Sequence, residues 1–166
     1  MTRALEVVLV LQRRVRSLLN EHRAEQVKAI GDGLMLRCGE PRAAIVLGLR
    51  LVEELAEETD FPPVRVGIHS GLALANEGDR CGRTVNVAAR PCSVARSGEV
   101  VVSECARQAA GQIPGVQWSE RELYLLRNVS EPVPAHLASS CQAAVRPAGA
   151  VARRRNLGLA SPQFAS

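Results

Sequence analysis

Val27-Lys28-Ala29-Ile30-Gly31-Asp32-Gly33-Leu34-Met35-Leu36-Arg37-Cys38 is the stretch on which the architecture turns. Two short apolar runs, Val27 to Ile30 and Leu34 to Cys38, flank Gly31-Asp32-Gly33. Glycine and aspartate tolerate the backbone angles of a tight reversal, so the stretch predicts a β-hairpin with Asp32 at its tip. Lys28 is the only lysine in the chain, every other basic residue being arginine. It stands four positions before Asp32, on the first of the two strands.

Upstream, Val8, Leu11, Val15, Leu18 and Leu19 recur at three- and four-residue intervals with Arg13, Arg14 and Arg16 between them, the stripe of an amphipathic helix. Downstream, Pro41 suits a first helical position, and Ala44, Leu47, Leu51 and Leu55 line one face of a second helix that ends near Glu57-Glu58. Val64, Val66 and Ile68 read as a buried strand, with a return at Gly71 to Ala75 and a charged loop from Asn76 to Arg83 that opens a helix near Thr84. Strands at Glu99 to Val102 and Leu123 to Leu126, a short helix at Glu104 to Ala109 and an extended piece at Pro132 to Leu137 follow. This alternation, without a G-x-G-x-x-G or a Walker loop, predicts an α/β layered sheet of the α+β kind. One domain is expected over residues 1–140. Residues 141–166, rich in Ala, Pro and Arg, have the composition of a disordered tail.

A chain of 166 residues, 46% of them hydrophobic, can bury an ordinary core, and with only 2% aromatics that core must be aliphatic. The formal charge of +4 comes from the tail, where Arg146, Arg153, Arg154 and Arg155 lie. Phe61, Trp118, Tyr124 and Phe164 are scattered and form no stacking platform, so no nucleic-acid partner is expected. The cysteines Cys38, Cys81, Cys92, Cys105 and Cys141 are odd in number, lack a Cys-x-x-Cys spacing and follow no secretory signal, which points to free thiols and a cytoplasmic location. Ala4 to Leu11 is too short an apolar run for the roughly twenty residues that span a bilayer, so no membrane segment is expected.

A second segment carries the chemistry: Asp79-Arg80-Cys81-Gly82-Arg83-Thr84-Val85-Asn86-Val87-Ala88-Ala89-Arg90. Asn86 and Arg90 share a helical face at i and i+4 and can reach one ligand. Taken singly, Asp32 reads as a turn residue, Lys28 as a solvent-facing strand lysine and Asp79 as a loop carboxylate, while Asn86 could be a helix-start amide and Arg90 a surface arginine. Together with the hairpin, however, the segment resembles the catalytic core of class III nucleotide cyclases. The likeness runs from about Leu5 to about Leu137 and includes Arg65-Val66-Gly67-Ile68-His69-Ser70-Gly71 and the closing Leu123-Tyr124-Leu125-Leu126-Arg127-Asn128-Val129-Ser130-Glu131-Pro132-Val133.

The resemblance implies a ferredoxin-like core and conversion of ATP to cyclic AMP and pyrophosphate, with Mg2+ or Mn2+ as cofactor. It makes Asp32 a metal ligand, Lys28 and Asp79 the adenine-reading pair, Asn86 the ribose-orienting residue and Arg90 the partner of charge developing on the transferred phosphate. In the family the site lies between two protomers, so a homodimer or a heterodimer with another cyclase domain is implied. His69 is expected to be a packed or hydrogen-bonded histidine rather than a base.

Two departures stand against full activity. The family's opening strand, with its F-x-D-x-x-G, has no counterpart here, so the core is expected to lack its first strand and one metal carboxylate. Pro91 follows Arg90 directly, where an interior proline removes a backbone hydrogen bond and costs about 3 kcal/mol unless the helix bends. The expectation is an adenylate cyclase-like protein of impaired activity. The alternative is a catalytically inactive, cyclase-fold nucleotide-binding or dimerisation module.

Overall fold

The structure, a computed structural model, describes residues 2–31, 33–71, 93–125, 131–141 and 163–165. Helix α1 (Thr2–Leu19) leads into the hairpin of β1 (Ala24–Ile30) and β2 (Gly33–Cys38), followed by α2 (Pro41–Glu57) and β3 (Val66–His69). The chain continues as β4 (Val100–Ser103), α3 (Glu104–Ala110), β5 (Val116–Trp118), β6 (Glu122–Tyr124), β7 (Val133–Ser140) and β8 (Gln163–Ala165).

The hairpin forms as the sequence predicts, with Gly31 at φ 61, a left-handed angle open to glycine without strain. Pro41 occupies the first turn of α2, where its missing N–H would have had no helical partner. Ser103 caps α3 by accepting from the Ala106 N–H. β5 was not signalled, being three residues long, and α1 begins at Thr2, ahead of the apolar stripe that predicted it. The expected return strand at 71–75 and the helix near Thr84 fall outside the described residues, apart from Gly71.

The strands form one sheet in the order β1-β2-β8-β3-β4-β7-β5, with β6 also pairing β7. β3 and β4 are parallel, and β7 runs antiparallel to β4. β8 lies between β2 and β3, parallel to both. A strand slot is filled by backbone hydrogen bonds that any non-proline residue supplies, so it needs no side-chain pattern in the segment that occupies it.

One face of the sheet carries the helices. Leu11, Val15 and Leu18 from α1 and Ala44, Leu47, Leu51 and Leu55 from α2 pack with Leu34, Leu36, Val66, Ile68, Val100 and Val102 from the strands. The core is aliphatic, as the composition requires. Each such valine, leucine or isoleucine side chain taken fully out of water contributes about 1.5–3 kcal/mol. Alternation sends Met35, Val101 and Ser103 to the opposite face, and Val101 packs there with Ala95 and Ala135 in a separate cluster.

Candidate functional site

Lys28 is half-buried on the edge strand β1, opposite Met35 of β2. Its orientation depends on a bulge. Gln26 pairs with Leu36, and the next pair is Lys28 with Met35, so positions 27 and 28 together oppose one residue. Strict alternation from Gln26 would have turned Lys28 onto the core face beside Leu34; the extra residue turns it to the face away from α1 and α2.

The strand registers continue this row across the sheet. Met35 pairs with Gln163, Gln163 with Gly67, Gly67 with Val101 and Val101 with Leu137. Residues paired in this way share a face. A second row on the same face runs from Glu25 through Arg37 and Ala165 to His69. Arg37 Nη1 donates to Glu25 Oε1 at 3.1 Å. His69, at the end of β3, has its Nδ1 2.9 Å from Ser103 Oγ, which makes it a hydrogen-bonded histidine at the end of the sheet. Lys28 and His69 therefore belong to one face of the sheet, the one away from α1 and α2, reached from opposite parts of the sheet.

Asp32 lies outside the described residues, between Gly31 and the first residue of β2. Asp79, Asn86, Arg90, Pro91 and Asn128 lie outside them too. Of the five site residues expected, Lys28 alone is placed. Among the described residues no group of three or more His, Cys, Asp and Glu could hold a metal ion. A cavity of about 460 Å³ lies along α1, lined by Leu9, Gln12, Arg13, Arg16 and Ser17, none of them an expected site residue. No described helix is long and apolar enough to cross a membrane.

A second polar cluster ties α3 to the sheet. His136 is buried, and its Nδ1 lies 3.0 Å from the Ser119 carbonyl oxygen; since a carbonyl only accepts, Nδ1 carries the proton. Its Nε2 meets the Glu104 carboxylate and, at 3.1 Å, Arg107 Nη1. The hydrogen bond with His136, and a second from Gln108, hold the Glu104 carboxyl below its usual range. Arg107 also stacks 5.3 Å above the Trp118 ring, and Trp118 meets His136 edge-on with ring centroids 6.4 Å apart. Every partner here is internal, which makes this a structural clasp.

Sequence reading passes over Cys105, which the fold brings to His69. The Ser-x-Cys that begins with the last residue of β4 signals a helix cap, and nothing local shows that a histidine 36 positions earlier would meet the thiol.

Residues 2–132 match the family described as the adenylate and guanylate cyclase catalytic domain. A pH-sensitive adenylate cyclase of Mycobacterium tuberculosis is 43% identical over 96 residues, covering 56% of this chain and 24% of that protein. An adenylate cyclase of Streptomyces griseus is 36% identical over 76 residues, covering 46% of this chain and 19% of that protein. The chain thus spans about a quarter or less of these relatives' length. Among solved structures, an adenylate cyclase of Trypanosoma brucei superposes with a TM-score of 0.67 at 23% identity, over 87% of this chain and 81% of that one. An adenylate/guanylate cyclase/hydrolase of Silicibacter pomeroyi gives 0.63 at 22% identity, over 84% and 90%. At these identities the structures speak for the fold.

Proposed function

The chain belongs to the adenylate and guanylate cyclase catalytic domain family, and from that premise we propose that it acts in converting ATP to cyclic AMP and pyrophosphate, by attack of the ribose 3′-hydroxyl on the α-phosphate. The observation that carries the adenine reading is the bulge in β1, which turns the chain's only lysine onto the sheet face away from α1 and α2.

In this reading Lys28 donates to a ring nitrogen of adenine and Asp79 accepts from the exocyclic amine. Asn86 orients the ribose. Arg90 meets the charge that develops on the α-phosphate, a task suited to a guanidinium because it stays charged and forks its donors. Asp32 offers the hard carboxylate oxygen that Mg2+ or Mn2+ takes. Such an ion, when bound, would neutralise the triphosphate and acidify the 3′-hydroxyl.

Paired metals about 3.5–4 Å apart need bridging carboxylates, and Asp32 is one. The 166-residue chain by itself is therefore proposed to turn over weakly, and to work best in a dimer whose other protomer supplies the metal ligands. The reading of an inactive nucleotide-binding or dimerisation module is favoured by Pro91, which follows Arg90 directly.

Complementation separates the two. The chain is mixed with an intact family member whose own ribose-orienting asparagine and phosphate-facing arginine have been mutated, so that it is inactive alone but keeps its metal ligands. Cyclic AMP should appear on mixing and vanish when Asn86→Ala or Arg90→Ala is introduced here. Heterodimers that form by sedimentation yet make no cyclic AMP, even with Pro91→Leu, would establish the binding-module reading.

A further inference from the structure

Cys105 is exposed at the start of α3, immediately beyond the C-terminal ends of the parallel strands β3 and β4. Its Sγ lies 3.3 Å from His69 Nδ1, 3.1 Å from Ser103 Oγ and 3.3 Å from the Ser70 carbonyl oxygen. The three side chains come from two strands and a helix, so the cluster is a product of the fold and not of local sequence. Nothing in the proposed nucleotide chemistry uses it.

We propose that Cys105 is a thiol modification site that reacts with small-molecule disulfides, with His69 as the acceptor of its proton. The hydrogen bonds describe both ends of the proton transfer. In the neutral state the thiol donates to the Ser70 carbonyl while the Ser103 hydroxyl donates to His69 Nδ1. In the ionised state Nδ1–H and the Ser103 hydroxyl both turn to donate to the sulfur. Partial burial pushes the thiol up, but the hydrogen bonds from His69 and Ser103 outweigh it and bring it down to about 7. Cys38 supplies the contrast within the same molecule: buried without such partners, its thiol is pushed up to about 12.

The step is thiol–disulfide exchange. The Cys105 thiolate attacks one sulfur of R–S–S–R; a new S–S bond forms as the old one breaks, and R–S⁻ leaves with the bonding pair. The R–S–S–R molecule is reduced to one thiolate as Cys105 is oxidised to a mixed disulfide, and the proton lost by Cys105 passes from His69 to the leaving thiolate. A thiol reductant reverses the reaction. The adduct sits against Ser70, where the chain enters the segment that holds Asp79, Asn86 and Arg90.

The test measures the rate of reaction of the full chain with the neutral aryl disulfide dithiodipyridine from pH 5 to 9, with adducts assigned to individual cysteines by peptide mass. An unstructured cysteine peptide, whose thiol titrates near 8.5, is the reference. Thiolate fraction and the lower nucleophilicity of a more acidic thiol oppose each other. They leave Cys105 about threefold faster than the peptide at pH 7 and about sixfold faster at pH 6, with the order reversed above about pH 8. The Cys105 profile should rise with a midpoint near 7. Cys105→Ser should remove that adduct and leave the far-ultraviolet circular dichroism unchanged. His69→Gln should move the midpoint upward, and an unmoved midpoint in a folded variant would overturn the role of His69. A wild-type Cys105 profile that coincides with the peptide's overturns the proposal without reference to any variant.

Discussion

Gly48 of α2 faces Ile68 of β3 so closely that a Cβ placed on it would lie 3.1 Å from Ile68 Cδ1, and equally near Val66 Cγ1. The helix descends onto the parallel strands through this missing side chain. Two effects compete on substitution: alanine gains about 1 kcal/mol of helix propensity over glycine, while overpacking a tight core costs about 1–3 kcal/mol. Gly48→Ala is expected within about 1 kcal/mol of wild type in urea unfolding. Gly48→Val should lose about 1–3 kcal/mol or more, because the β-branched Val66 opposite it has little freedom to move aside.

The Glu104–His136 contact should make stability depend on pH at the acid end. The folded carboxyl lies below its ordinary value of 4.5. Its contribution is therefore complete above that value and is lost as pH falls through the lower, folded one. Urea unfolding at pH 7 and pH 3 should show this loss in the wild type. Glu104→Gln should cost about 1 kcal/mol at pH 7, the difference between a charged and a neutral hydrogen bond, and should flatten the acid limb. An equally steep limb in the variant would assign the acid loss to other carboxylates.

Replacing Lys28 tests the reading of the edge strand. Lys28→Met keeps the length of the stem and removes the donor. If Lys28 contacts adenine, preference for ATP over GTP, measured by competition with a fluorescent nucleotide, should fall about tenfold to a hundredfold, the worth of a hydrogen bond involving a charged group. Unchanged preference would return Lys28 to the role of an ordinary strand lysine.

Removing residues 142–166 should open the slot between β2 and β3 that β8 fills. Unpaired strand edges attract other chains, so the truncated protein is expected to associate in a concentration-dependent way. Amide exchange should quicken in Leu34 to Cys38 and Val66 to His69. A truncated protein with wild-type exchange in both strands would show that β8 adds nothing to the sheet.

The periodic signals in the sequence were sufficient for the elements that hold the core. Gly31-Asp32-Gly33 between two apolar runs determined the hairpin, Pro41 with Ala44, Leu47, Leu51 and Leu55 determined α2, and the alternation at Val66 and Ile68 determined a buried strand. These are local: each follows from backbone preference and the side on which apolar residues fall. The candidate residues Lys28, Asp32, Asp79, Asn86 and Arg90 were legible by resemblance, and the family match bears out the resemblance itself.

Tertiary structure decided what depends on pairing between distant segments. Register across the hairpin introduced the bulge that turns Lys28 away from the core, a choice invisible in a run that reads as simple alternation. The parallel register of β3 and β4 carried Ser103 and Cys105 to His69. The slot between β2 and β3 recruited Gln163–Ala165 through backbone bonds to which their sequence offers no clue. A pattern in sequence reports which side of a strand is apolar; it carries no information about which other strand will lie beside it, because that is settled by the summed packing of the whole core.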